Sequence, residues 1–137
     1  MMMNRFRIGS FLTGLVLTLG PIYGWTHHGW AGYDRDVDTS FVIAEVNLGN
    51  PHDALVATDS EGRNWDLVLA TPNRNRRLGF DENSLSVGDE VNLLGRGHPS
   101  RNEIKVHCIY RAGEMVYEYY DFDGTTSLSK HGEQEYC

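Results

Sequence analysis

A chain of 137 residues with 19 acidic against 12 basic side chains, a formal charge of −7 at neutral pH, is long enough for one domain with one modest core and too short for two. Nucleic acid and anionic lipid are bound chiefly through Lys and Arg, so this balance argues against both. It suits the collection of cations or docking on a basic partner.

The chain opens with Asn4-Arg5-Phe6-Arg7, an apolar run from Ile8 to Leu19, and Gly20-Pro21. Charged, apolar and small-residue regions in that order read as an export signal, a signal peptide over residues 1–26 cut after Gly24 or after Thr26. At about 12 residues the run is too short for a comfortable bilayer span, so no stable membrane anchor is expected after processing. The mature protein is then periplasmic or secreted. Loss of Arg5 and Arg7 leaves it 10 basic against 19 acidic residues, a charge of −9.

Behind the leader stands Trp25-Thr26-His27-His28-Gly29-Trp30. A cut after Gly24 makes His27 the third residue, where the α-amine, two backbone amides and the imidazole form a nitrogen square suited to Cu(II) or Ni(II). A cut after Thr26 makes His27 the first residue, whose amine and imidazole chelate one metal in the manner of a histidine brace. The plainer reading is that two histidines at a free start are polar surface.

The barrel domain is expected over residues 27–120. From Thr39 to Leu48, Phe41, Ile43 and Val46 alternate imperfectly with polar residues, which predicts a first strand with a bulge. Asn50-Pro51-His52-Asp53 breaks the pattern. Ala54 to Thr58 resumes it, and Asp59-Ser60-Glu61-Gly62 is a hairpin turn into a third strand, Arg63 to Ala70, with Trp65, Leu67 and Leu69 on one face. Thr71-Pro72 at one end and Gly79 at the other bracket a short helix over Asn73 to Leu78.

A turn at Ser86-Val87-Gly88-Asp89 leads to a fourth strand, Glu90 to Arg96. The fifth carries Ile104, Val106, Cys108 and Tyr110 on one face, which would point His107 outward or toward another layer, with a surface role favoured. A turn at Arg111-Ala112-Gly113-Glu114 precedes a partly exposed sixth strand, Met115 to Tyr120. The tail, residues 121–137, is polar, lacks a period and is expected to be irregular.

Three strands, a short helix and two further strands is the chain order of the OB-fold, so the predicted fold class is mainly β: a small OB-like barrel of five to six strands, one short helix between strands 3 and 4. A plain antiparallel sandwich competes with it. Cys108 and Cys137 fall in the exported part, where a disulfide is permitted; a buried Cys108 with a free Cys137 is the alternative.

His27-His28-Gly29-Trp30, Asn50-Pro51-His52, Gly62-Arg63-Asn64-Trp65, Arg77-Leu78-Gly79, Gly88-Asp89-Glu90-Val91 and Glu103, in that order, resemble an uncharacterised exported bacterial family, domain of unknown function 6152. The resemblance covers His27 to about Tyr120. Its members typically start His-His-Ser-Phe, where this chain has His-His-Gly-Trp, and the segment before His27 lacks the usual alanine-rich cleavage site. The resemblance implies an exported OB-like barrel and carries over no established activity.

Function rests on the residues. An N-terminal segment lying extended along the first strand would carry His27 and His28 to His52, giving three imidazoles and an amine, a donor set for copper first and zinc second. Asp53 and Asp66 are candidate partners for those imidazoles. Trp30, Tyr33, Trp65 and Tyr110 are candidates for an aromatic platform, with Trp65 more plausibly in the core, and Arg74, Arg76 and Arg77 form a basic cluster. No nucleophile elbow, phosphate loop or His-Glu-x-x-His is present, so a non-enzyme is expected, with no catalytic residue and no cofactor beyond copper. The alternative is an interaction module whose barrel docks on an envelope protein or glycan.

Overall fold

The computed structural model describes residues 29–130 and residue 137. The leader, both cleavage points, His27 and His28 lie outside the described residues. Six strands follow one another as β1 (Arg35–Asn47), β2 (Ala54–Thr58), β3 (Asn64–Val68), β4 (Glu90–Gly97), β5 (Glu103–Arg111) and β6 (Glu114–Glu118). Helix α1 (Pro72–Arg77) lies between β3 and β4, and α2 (Ser127–Lys130) follows β6. The sheet order is β3-β2-β1-β4-β5-β6, and β3 also pairs in parallel with β5. That last pairing closes five strands into the OB-like barrel, with β6 as an extra strand, and rules out the sandwich.

β1 starts four residues before the expected Thr39, because Arg35 to Val42 pair with β4 while Val42 to Asn47 pair with β2. A strand shared between two partners has to bend, and the expected bulge lies between Ile43 and Glu45. Phe41 and Ile43 face the core, where they meet Leu55, Leu67 and Leu93. β4 comes so close to β5 at Gly95 that a Cβ there would lie 2.5 Å from the Lys105 carbonyl oxygen and 2.7 Å from Ile104 Cγ2, so only glycine fits.

Helix α1 begins at Pro72, one residue before the predicted start. It ends in a Schellman motif: the Phe80 amide donates to the Asn75 carbonyl at 2.9 Å and the Gly79 amide to the Arg76 carbonyl at 3.1 Å, with Gly79 at φ 90°. Phe80 is buried against Tyr117 of β6.

Two expectations are overturned beyond β4. β5 does not keep one alternation throughout: Leu94 pairs with Cys108 but Gly95 with Val106, so His107 is an extra residue at a bulge. Ile104, Val106 and Ile109 therefore face the core, while His107 and Cys108 are buried on the other side. His107, for which a surface role was favoured over a place under another layer, is 2 % exposed, because the second layer named as the alternative covers it. The tail is that layer's source and is not wholly irregular. Tyr120 bridges to Thr126, Leu128 of α2 is 1 % exposed, and Cys137 forms a disulfide with Cys108 across a Cα–Cα distance of 6.1 Å.

Candidate functional site

His52 stands at the corner between β1 and β2, after the cis Asn50-Pro51 peptide, half-buried on a shallow groove of about 440 Å³ formed by Val46 to Asn50 and Ala54. Its neighbour Asp53 turns inward. The Asp53 side chain is fully buried and its Oδ2 accepts from the Asn75 side-chain amide at 2.8 Å, while its backbone exchanges hydrogen bonds with Leu69 and Ala70. Asp66 lies exposed on β3. The corner is thus fixed from inside, leaving His52 on the rim.

The segment before β1 takes a different route from the one expected. It does not lie extended along β1. Residues 30–33 turn, the Tyr33 amide donating to the Trp30 carbonyl at 3.1 Å, and the strap lies on the outer face of β5. The Tyr33 hydroxyl donates to Glu103, the Lys105 ammonium to the Gly29 carbonyl, and the Trp30 ring stacks on the His107 ring with centroids 4.4 Å apart and planes 4° from parallel. Lys105 also sits 5.1 Å from the Tyr33 centroid and 5.7 Å from that of Trp30, within cation–π range. Tyr119 meets Trp30 edge-on at 5.2 Å.

Electrostatics follow this packing. Burial, with the hydrogen bond to Glu103 and its charge adding, pushes the Tyr33 phenol up to about 12. Burial also raises Glu103, but the Arg101 and Tyr33 hydrogen bonds outweigh it and keep the carboxyl below its ordinary range. Burial lowers Lys105, opposed by Glu103 and Asp121. His107 shares a 2.5 Å hydrogen bond through Nδ1 with Ser127 Oγ.

The register connects strap and corner. Ala54 pairs with Val68 and Val68 with Lys105, one row across β2, β3 and β5. Two strand spacings, about 10 Å, separate the ends of that row. His52 precedes Ala54 by two residues, and Gly29 is fixed at Lys105. Among the described residues, no three His, Cys, Asp or Glu side chains are grouped to hold a metal, so a site at His52 needs the histidines that precede Gly29.

The other candidates disperse. Trp65 packs against Phe41 at the core and donates to Asp59, Tyr110 donates to the Cys137 carbonyl, and Trp30 and Tyr33 belong to the strap, so no single aromatic platform forms. Arg74 is engaged by the Tyr120 carbonyl and the Phe122 ring, leaving Arg76 and Arg77 exposed. Lys105 and Ser127 went unrecognised in the sequence, and His107 was given a surface role in preference to a place under another layer. The trace they left was a histidine inside an apolar run, Ile104 to Ile109, too apolar for a strand with one wet face.

The model of a family of unknown function, DUF6152, matches residues 16–107. The chain belongs to this family. The match begins upstream of His27 and stops at His107, short of Tyr120, so it takes in the strap, the His52 corner and β1 to β4. No curated protein and no solved structure matches the chain significantly. Among the described residues, no helix is long and apolar enough to cross a membrane.

Proposed function

We propose that this DUF6152 member is an exported, non-enzymatic barrel that binds a divalent transition metal, copper(II) first, through His27 and His28 with His52 as third ligand. The observation that carries this reading is the anchoring of Gly29. Two residues of chain reach at most about 7 Å, so His27 and His28 start from a fixed point on β5, one register row from the His52 corner.

Coordination requires neutral imidazoles and amine, so binding releases protons and weakens as pH falls. Titration of the correctly processed protein with Cu(II) tests the reading, with Trp30 emission as reporter because bound Cu(II) so close would quench it. Affinity is expected to drop in the His27→Ala, His28→Ala double variant and, by a smaller factor, in His52→Ala. Binding by the wild type no stronger than by the double variant rejects the reading.

A groove of about 690 Å³ beside β1 and β4, with Asp38, Val42, Glu90 and Tyr110 in its lining, supports the second reading, an envelope protein or glycan docked on the barrel. A ligand held there would be indifferent to the double histidine substitution.

A further inference from the structure

We propose that the outer edge of β6 is a docking site for an extended segment of a partner protein, which joins the sheet as a further strand and brings Lys or Arg to Glu114 and Glu118. This edge is separate from the histidines and from the groove beside β1 and β4.

The pairing of β3 with β5 closes five strands into a barrel, and a closed barrel has no edge. β6 restores one. It pairs with β5 on one side, and among the described residues no strand pairs with its other side. A groove of about 470 Å³ runs there, and Met115, Val116, Tyr117 and Glu118 all line it. Successive side chains of a strand point to opposite faces, so a groove on a face meets every second residue. One bordered by four in a row follows the edge, where the backbone N–H and C=O groups are. Leu78 and Phe80, where α1 ends, form the opposite wall.

The edge is fixed in place and partly apolar. The buried Tyr117 ring packs on Phe80 with centroids 5.2 Å apart, and its hydroxyl accepts from the Ala70 amide at 2.9 Å, so β6 is pinned to the barrel before any partner arrives. Preorganisation of that kind removes an ordering cost from binding. Met115 is 50 % exposed and Leu78 51 %, one on each wall. β6, Glu-Met-Val-Tyr-Glu, has neither the proline nor the lysine that commonly seals an edge. A strand laid here is held by main-chain hydrogen bonds and meets the two apolar side chains with its alternate residues.

Charge selects the occupant. Glu114 and Glu118 stand at the two ends of β6, while the Arg111 guanidinium, also in the lining, is taken up by Asp89 and the Ser84 carbonyl, each at 3.0 Å. A second copy is disfavoured. Two β6 strands paired antiparallel at full overlap set Glu114 of each opposite Glu118 of the other, and like charges facing across a pair destabilise it. A bulge leaves Val116 without an opposite residue on β5 and narrows further what fits. A strand with basic ends and β-branched residues between them meets the same glutamates favourably.

The probe is the end-blocked peptide Lys-Val-Thr-Val-Lys, added at millimolar concentration to the intact, oxidised protein, with backbone amide exchange followed by NMR. It is expected to slow exchange of β6 amides about tenfold and to leave β2 unchanged. Glu-Val-Thr-Val-Glu is expected to bind about tenfold more weakly, the scale of two cross-strand ion pairs. Two versions of the Lys peptide, each N-methylated along one of its edges, are expected to differ, since only one edge can face β6. They leave the protein untouched, so the outcome does not depend on a variant folding. Glu114→Lys, at an exposed position, is expected to reverse the preference between the Lys and Glu peptides. No slowing at β6, or equal binding by the two methylated peptides, overturns the inference. Slowing that grows with protein concentration in the absence of peptide gives the edge to a second copy and overturns the basic partner.

Discussion

Asp59 accepts hydrogen bonds from the Trp65 indole, the Arg63 guanidinium and the backbone amides of Glu61 and Arg63, at 2.8 to 2.9 Å. The Trp65 bond leads; burial opposes it, the Arg63 and Glu61 bonds reinforce it, and the carboxyl is held far below its ordinary value of 3.8. A carboxyl depressed on folding adds stability that is complete above its unfolded value and is lost as pH falls toward its folded one. The stability gap between wild type and Asp59→Asn is therefore expected to be widest near neutrality and to shrink steadily below about pH 4. Thermal unfolding of both proteins between pH 2 and 7 measures it, and a constant gap would refute the assignment. The Asp59–Gly62 turn was legible in sequence because its chemistry is local. The reach of Trp65 back to Asp59 was not, since strand alternation says which face a side chain takes and not what it touches.

α1 is docked through one buried amide. Asn75, on its inner face, donates to Asp53 at 2.8 Å and to the Ala70 carbonyl at 3.0 Å, so the helix is tied to the residue that follows His52. Asn75→Ala leaves a fully buried carboxyl without that donor and is expected to cost about 3 kcal/mol, measured by urea unfolding. A cost under about 1 kcal/mol would show that Asp53 finds another partner. The existence of α1 followed from Thr71-Pro72 and Gly79, and the strands from alternation and turn residues, so all six strands came within a few residues of their observed bounds. β5 kept its bounds and lost its faces. A bulge has no turn residue to mark it, so the alternation was carried past His107 and assigned Cys108 and Tyr110 to the core side in place of Ile109.

For the whole molecule, the disulfide ties the C-terminal segment to the barrel wall across 29 residues. On the chain-entropy account, replacing both cysteines by serine is expected to lower stability by about 3.5 kcal/mol, with guanidinium unfolding of the oxidised wild type as the reference. A loss under about 1 kcal/mol would mean that the tail is held by α2 and Thr126 alone. Of the proposed site, the three histidines were legible as donor types, while the strap from Gly29 to Tyr33 on β5 was hidden, because its partners lie 70 or more residues away. The bulge at His107 bears on all of this in another way. It works as a change of reading frame: before it, even-numbered side chains face the core, and after it, odd-numbered ones do. Deleting the extra residue would leave Ile104, Val106 and Ile109 in one unbroken alternation toward the core, so the bulge serves the outer layer alone, where it sets the His107 ring beneath Trp30.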